Sequence, residues 1–193
     1  MAELYAIVGT VRRALFMLKA DVPYLQLRLK DTPLEPYRGE IAQWPHEFPN
    51  TRIIINDDLE FADSVNAWGV HLGQEDLRRY SPESLLGTRL NLGISTHSDE
   101  EIEIARQFSA AMIGFGPMFD TDTKKITHSP QGVARLTQVV ASCGMPVVAI
   151  GGIGDQNMDE VVKSGVAMVA MIAYLDRLET VEDVHNLMHR LRG

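Results

Sequence analysis

Asp57 and Asp76 are the residues of this sequence best placed to do chemistry. Asp57 comes directly after Ile53, Ile54, Ile55 and Asn56, and Asp76 shortly after Gly69, Val70, His71 and Leu72. A carboxylate at the mouth of a core is costly to desolvate unless something pairs with it. Two carboxylates on neighbouring loops can share a hard cation such as Mg2+, which takes oxygen ligands and keeps several waters. Arg28, Lys30 and Lys124 follow other apolar runs and could grip anionic oxygens. Cation, guanidinium and ammonium together suit a diphosphate. A second anion site is suggested by Gly151 and Gly152, because glycines after a strand let backbone N–H groups approach a phosphate. Two anion sites imply two phosphorylated substrates.

Each candidate also has a plain structural reading. Asp58 precedes the helical stripe opened by Leu59, so it reads as a helix N-cap. Glu75 and Asp76 equally suit the first turn of a helix through its dipole, and for Asp76 both readings stand. His71 lies within an apolar run, where a satisfied core histidine is common, and His97 could serve only to orient a loop. Lys125 is a solvated neighbour of Lys124, Arg12 and Arg13 form an exposed helix face, and Met168 and Met171 are packing residues.

The elements that must position these groups recur along the chain. Apolar runs begin at Leu4, Tyr24, Arg52, Trp68, Arg89, Ala111, Pro146 and Ala167, and most are continuous rather than alternating. That is the pattern of strands covered by helices. Between them, Leu34, Tyr37, Ile41 and Trp44 predict a helix closed by Pro45. Leu59, Ala62 and Val65 predict a shorter one. Ser98 and Glu101 form the pattern of a capping box, and Val184, Leu187, Met188 and Leu191 predict a closing helix. Eight strand–helix units in series predict an α/β fold, a compact single-domain (β/α)8 barrel over 1–193, with a doubly wound open sheet as the alternative that eight units without a long break disfavour. The barrel's functional loops would follow the strand C-termini, in a chain short against the usual ~250 residues.

The totals exclude several classes. A net charge of −8 gives no general attraction to nucleic acid or anionic membrane. The apolar runs are too short for a membrane helix. Cys143 is the only cysteine, so no intrachain disulfide forms, which together with the lack of a signal-type N-terminus predicts a cytoplasmic protein. Homo-oligomerisation is left open.

Six spaced segments, QLRLK from Gln26, IIINDD from Ile53, GVHLGQED from Gly69, LGISTH from Leu92, GFGPMFDTDTKK from Gly114 and AIGGI from Ala149, resemble the thiamin phosphate synthase and thiazole tautomerase barrel family. The resemblance implies a transferase that joins hydroxymethylpyrimidine diphosphate to thiazole phosphate. It implies Asp57 and Asp76 as Mg2+ ligands, and Arg28, Lys30, Asn56, Ser95 and Lys124 as catalytic contacts to the diphosphate. Gln26 and His71 would face the pyrimidine, and Thr121, Thr123 and Gly152 would seat the thiazole phosphate. Departures are Leu29 in place of a carboxylate, Val8-Gly9-Thr10 in place of VTD, and Met168 and Ala173 where a glycine and a phosphate-holding serine are expected. A thiazole tautomerase and a repurposed phosphate-binding barrel are the alternatives. Tautomerases lose the aspartate pair and carry a histidine at the place of Pro117, so the residues present favour the synthase.

Overall fold

The continuous apolar runs become parallel strands with both faces covered. In the computed structural model, which describes residues 1–30, 32–120 and 129–193, β1 (Glu3–Val8), β2 (Tyr24–Leu27), β3 (Arg52–Asn56) and β4 (Gly69–Leu72) are followed by β5 (Asn91–Thr96), β6 (Met112–Phe115), β7 (Val147–Ile150) and β8 (Met168–Met171). Each pairs with the next in parallel, and β8 pairs with β1, closing the barrel. The helices are α1 (Val11–Lys19), α2 (Arg38–Ile41), α3 (Trp44–Glu47), α4 (Leu59–Ser64), α5 (Gln74–Leu77), α6 (Pro82–Leu85), α7 (Asp99–Gln107), α8 (Gly132–Ser142), α9 (Met158–Lys163) and α10 (Val181–Arg192). The expected (β/α)8 barrel is the observed fold, and the expected closing helix is α10.

Alternation along each strand divides the core in two. On β1, Tyr5 and Ile7 join Tyr24, Ile54, Met112, Val148, Met168 and Ala170 in the barrel lumen. Leu4, Ala6 and Val8 pack outward with Leu25, Leu27, Ile53 and Ile55 against the helices. At the N-terminal end of the lumen the Arg52 guanidinium lies 4.9 Å from the Tyr24 ring centre and 5.6 Å from that of Trp68. It also donates to Tyr24 Oη at 2.7 Å, while Tyr5 stacks on Tyr24 at 5.8 Å. Met168 and Met171 are packing residues as expected, one on each side of β8.

Helix starts follow local chemistry. Thr10, Asp58, Ser98 and Thr180 each accept a hydrogen bond from a backbone N–H three residues on, relieving one orphan donor of the first turn. At Ser98 the reciprocal half differs from the expected box: the Glu101 carboxylate accepts from His97 N–H at 2.6 Å. The stripe from Leu34 to Trp44 does not form one helix. It makes a 3-10 turn at Glu35–Tyr37, then α2 and α3, although Ile41 and Trp44 are both buried. Pro45 opens α3 rather than closing a helix, because a missing N–H costs little in a first turn.

Arg13 is the other correction. Arg12 is exposed, but Arg13 turns inward and donates to the carbonyls of Leu175 and, at 2.7 Å, Leu178, with its guanidinium over Phe16. Desolvation lowers its pKa, opposed by the charge of Asp176. Ile55 is fully buried between β3 and the helices. Truncating it to alanine in I55A should cost about 2–5 kcal/mol, read as a fall in the urea midpoint with an unchanged slope.

Candidate active site

The residues that continue the inward-facing rows beyond the packed lumen are polar. Gln26 follows Tyr24 on β2, Asn56 follows Ile54 on β3, His71 follows Gly69 on β4, and Ser95 follows Gly93 on β5. The register sets Ile7 beside Gln26, Gln26 beside Ile54, Asn56 beside His71, His71 beside Gly93 and Ser95 beside Gly114. All of these sit at the C-terminal end of the barrel, where such folds carry their chemistry.

A chain of hydrogen bonds runs through them. Gln26, 2% exposed, donates through Nε2 to Asn56 Oδ1 at 2.7 Å. Asn56 donates to Asp57 Oδ2, so both amide orientations are fixed by the carboxylate. His71 Nε2 and Ser95 Oγ are 2.9 Å apart, and Gln74 Nε2 donates to the Ser95 carbonyl at 2.6 Å. The His71 ring occupies space that two glycines leave open. A Cβ on Gly93 would stand 2.7 Å from His71 Nδ1, and one on Gly114 3.2 Å from Cε1. The ring thus packs against Gly93 and Gly114 at the C-terminal end of the lumen, with Nε2 on Ser95.

Asp57 adopts φ 63°, a left-handed conformation that aspartate tolerates better than most residues. Its N–H donates to the His71 carbonyl at 2.8 Å, extending the β3–β4 ladder by one bond. The Asp57 carboxyl pKa is raised, first by burial and then by the charge and hydrogen-bonding contact of Asp76, and lowered by Arg28 and the Gly73 N–H. Asp76 occupies the first turn of α5 and meets Arg79 at 3.3 Å, so it holds a favourable helix position and faces Asp57 as well. Asp58 caps α4 through the Phe61 N–H at 2.9 Å, as its spacing predicts.

This like-charge contact is the feature that a divalent cation would relieve. Among the described residues no group of three or more histidine, cysteine, aspartate or glutamate side chains could hold a metal. Two carboxylates could hold a hard cation that takes its remaining oxygens from water and substrate, as Mg2+ does. They do not fit an all-protein cage.

The other expected residues fall into three groups. Arg28 follows β2, its N–H donating to Val8 O at 2.9 Å, and Lys30 is exposed beyond it. Gly152 lies after β7 with φ 66°, where a Cβ would come 2.6 Å from the Asp120 carbonyl, so only glycine fits the approach of the two loops. Thr121, Thr123 and Lys124 lie outside the described residues.

The departures from the resemblance also find structural causes. Leu29 packs against the outer core, Thr10 caps α1, and Met168 stands at the lumen end remote from the rim. Ala173 is exposed directly after β8, and Gly9 directly after β1, so both lie on the rim itself.

Sequence reasoning missed Tyr5. It is 1% exposed, its hydroxyl has no hydrogen-bond partner among the described residues, and burial raises its pKa. It lines a cavity of about 30 Å3 with Ile7, Gln26, His71, Ser95 and Gly114 among others. Nothing in its apolar run distinguishes it from packing. Gly93 did carry a signal, since glycine inside a strand marks a close approach.

A closed parallel barrel with an acidic pair, an arginine and a glycine turn on its C-terminal rim defines a (β/α)8 protein suited to anionic small molecules. The family model for thiamine monophosphate synthase matches residues 4–175, and the chain belongs to that family. A thiamine-phosphate synthase from Citrobacter koseri is 38% identical over 179 residues, covering 91% of this chain and 85% of its relative. One from Photorhabdus laumondii is 36% identical over 178 residues, covering 90% and 82%. The solved thiamine phosphate pyrophosphorylase from Pyrococcus furiosus superposes with a TM-score of 0.76 at 27% identity, covering 99% and 97% of the two chains.

The raised Asp57 pKa has a defined sign for stability. Folding favours the protonated form, so this contribution is present below the ordinary carboxylate range and is lost as pH rises through the raised value. At neutral pH without divalent cations, D57N should therefore have a higher Tm than the natural sequence. Adding Mg2+ should raise the Tm of the natural sequence and leave that of D57N unmoved, both read by thermal unfolding.

Proposed function

We propose that this chain joins hydroxymethylpyrimidine diphosphate to thiazole phosphate, releasing thiamin phosphate and pyrophosphate. The observation that carries this reading is the Asp57–Asp76 contact at the end of the Gln26–Asn56–Asp57 chain, on a barrel of the thiamine monophosphate synthase family. Asp57 and Asp76 would hold Mg2+, which supplies neutralisation of the charge gathering on the leaving diphosphate. Arg28, Lys30, Asn56, Ser95 and Lys124 take that diphosphate by charge and hydrogen bond. Gln26 and His71 face the pyrimidine, their orientations fixed by Asn56 and Ser95.

The reaction is alkyl transfer. The bond from CH2 to the diphosphate oxygen breaks, and its electron pair leaves with the diphosphate. The thiazole nitrogen then gives its lone pair to the resulting pyrimidine cation. No proton moves in either event, so the absence of a base from this role set is consistent with the chemistry. Pre-aimed charges on a leaving group are usually the largest catalytic term. Thr121, Thr123 and Gly152 seat the thiazole phosphate. Retention of Asp57 and Asp76, with Pro117 rather than histidine after β6, supports the synthase over the tautomerase. We place the reaction in the cytoplasm, a reading supported by the buried, unpaired Cys143. Among the described residues no helix is long and apolar enough to cross a membrane.

Incubating the purified protein with both substrates and Mg2+ should yield thiamin phosphate and pyrophosphate in equal amounts; formation of neither would reject the reading. R28A should lower kcat by about 100-fold or more while its circular dichroism stays that of the natural sequence. An unchanged rate would remove Arg28 from the diphosphate site.

A further inference from the structure

Tyr174 joins three elements at the rim beside Gly152. Its ring lies against Gly154, where a Cβ would stand 3.6 Å from Tyr174 Cδ2. Its hydroxyl donates to Asp155 Oδ1 at 2.8 Å, and the same oxygen accepts from Arg190 of α10. Within the loop after β7, the Gly154 N–H donates to Asn157 Oδ1 at 2.9 Å and Asn157 Nδ2 donates to the Gly152 carbonyl at 2.9 Å. Tyr174 is thus connected to Gly152 through Gly154 and Asn157. On its own side, Leu175 N–H donates to Ile172 O at 3.0 Å, and Arg13 of α1 holds the carbonyls of Leu175 and Leu178.

We infer that Tyr174 is a positioning residue for the thiazole phosphate, bracing the glycine loop after β7 against α10 and the loop after β8. The inference rests on the reaction proposed above. Gly151 and Gly152 hold φ of 101° and 66°, and glycine loses more freedom on ordering than any other residue. Backbone donors bind an anion well only when they are fixed beforehand. Ala173, next to Tyr174, brings no hydroxyl to this rim, so the loop geometry carries more of the binding. Arg190 meets the Asp155 charge, which keeps the brace from presenting an uncompensated anion beside a phosphate site.

The variant Y174F keeps the ring and removes the hydroxyl. Its KM for thiazole phosphate should rise about three- to tenfold, with kcat and the KM for pyrimidine diphosphate unchanged. Adding A173S, which supplies a local hydroxyl, should recover the lost affinity. An unchanged thiazole phosphate KM, or equal losses for both substrates, would overturn the brace. Calorimetric binding of inorganic phosphate separates this inference from the reaction itself. Weaker phosphate binding by Y174F supports the brace even if no thiamin phosphate forms, and equal binding by both proteins refutes it.

Discussion

Pairing of β8 with β1 is the constraint on which the rest depends. Eight parallel strands in sequential order have all their C-termini on one side, and closure turns that side into a ring. Asp57 and Asp76 follow β3 and β4, and the parallel pairing of those neighbours sets their loops side by side on that ring. Pairing of β7 with β6 and β8 likewise sets the loop after β6 against Gly152 and the loop after β8 against Gly154. An open sheet of the same strands would leave β1 and β8 at opposite edges, with Gln26 and Tyr174 far apart.

Strand pleating then decides which groups reach the mouth. Along β3 the outward positions carry Ile53 and Ile55, while the inward row passes from Ile54 to Asn56. A one-residue slip would bury Asn56 among helices and turn Ile55 into the lumen. The apolar contacts of the outer layer therefore hold the Gln26–Asn56–Asp57 hydrogen bonds in register. Packing and chemistry are specified by alternate residues of the same strand.

Much of this was legible in the sequence. Apolar runs marked all eight strands, and most are continuous because burial on both faces leaves little room for alternation. Asp58 as a cap and Asp57 as a rim acid could be separated because only Asp58 directly precedes the helical stripe. Arg13 and Pro45 were misread. Local spacing cannot show that Arg13 meets carbonyls more than 160 positions away, nor that Ile41 and Trp44 bury from separate short helices. Tyr5 and the Tyr174–Asp155–Arg190 contact were likewise invisible, since each depends on tertiary packing between separate elements. The resemblance to a family named Gln26, His71 and Ser95 together, and the fold does bring the three to one end of the lumen, an adjacency that composition alone does not reveal.

The arginine beneath the lumen has a consequence for traffic. Arg52, laid over Tyr24 and Trp68 with Tyr5 stacked behind, floors the barrel, and the side chains above it fill the interior. Among the described residues the lumen is thus filled at that end. Whatever the rim binds must arrive and depart across the same opening. A molecule bound over Asp57 and Arg28 would stand in the path of one seated at the bottom, near Gln26 and Tyr5. If two guests share that opening, the deeper would enter first and leave last, an order set by shape before affinity.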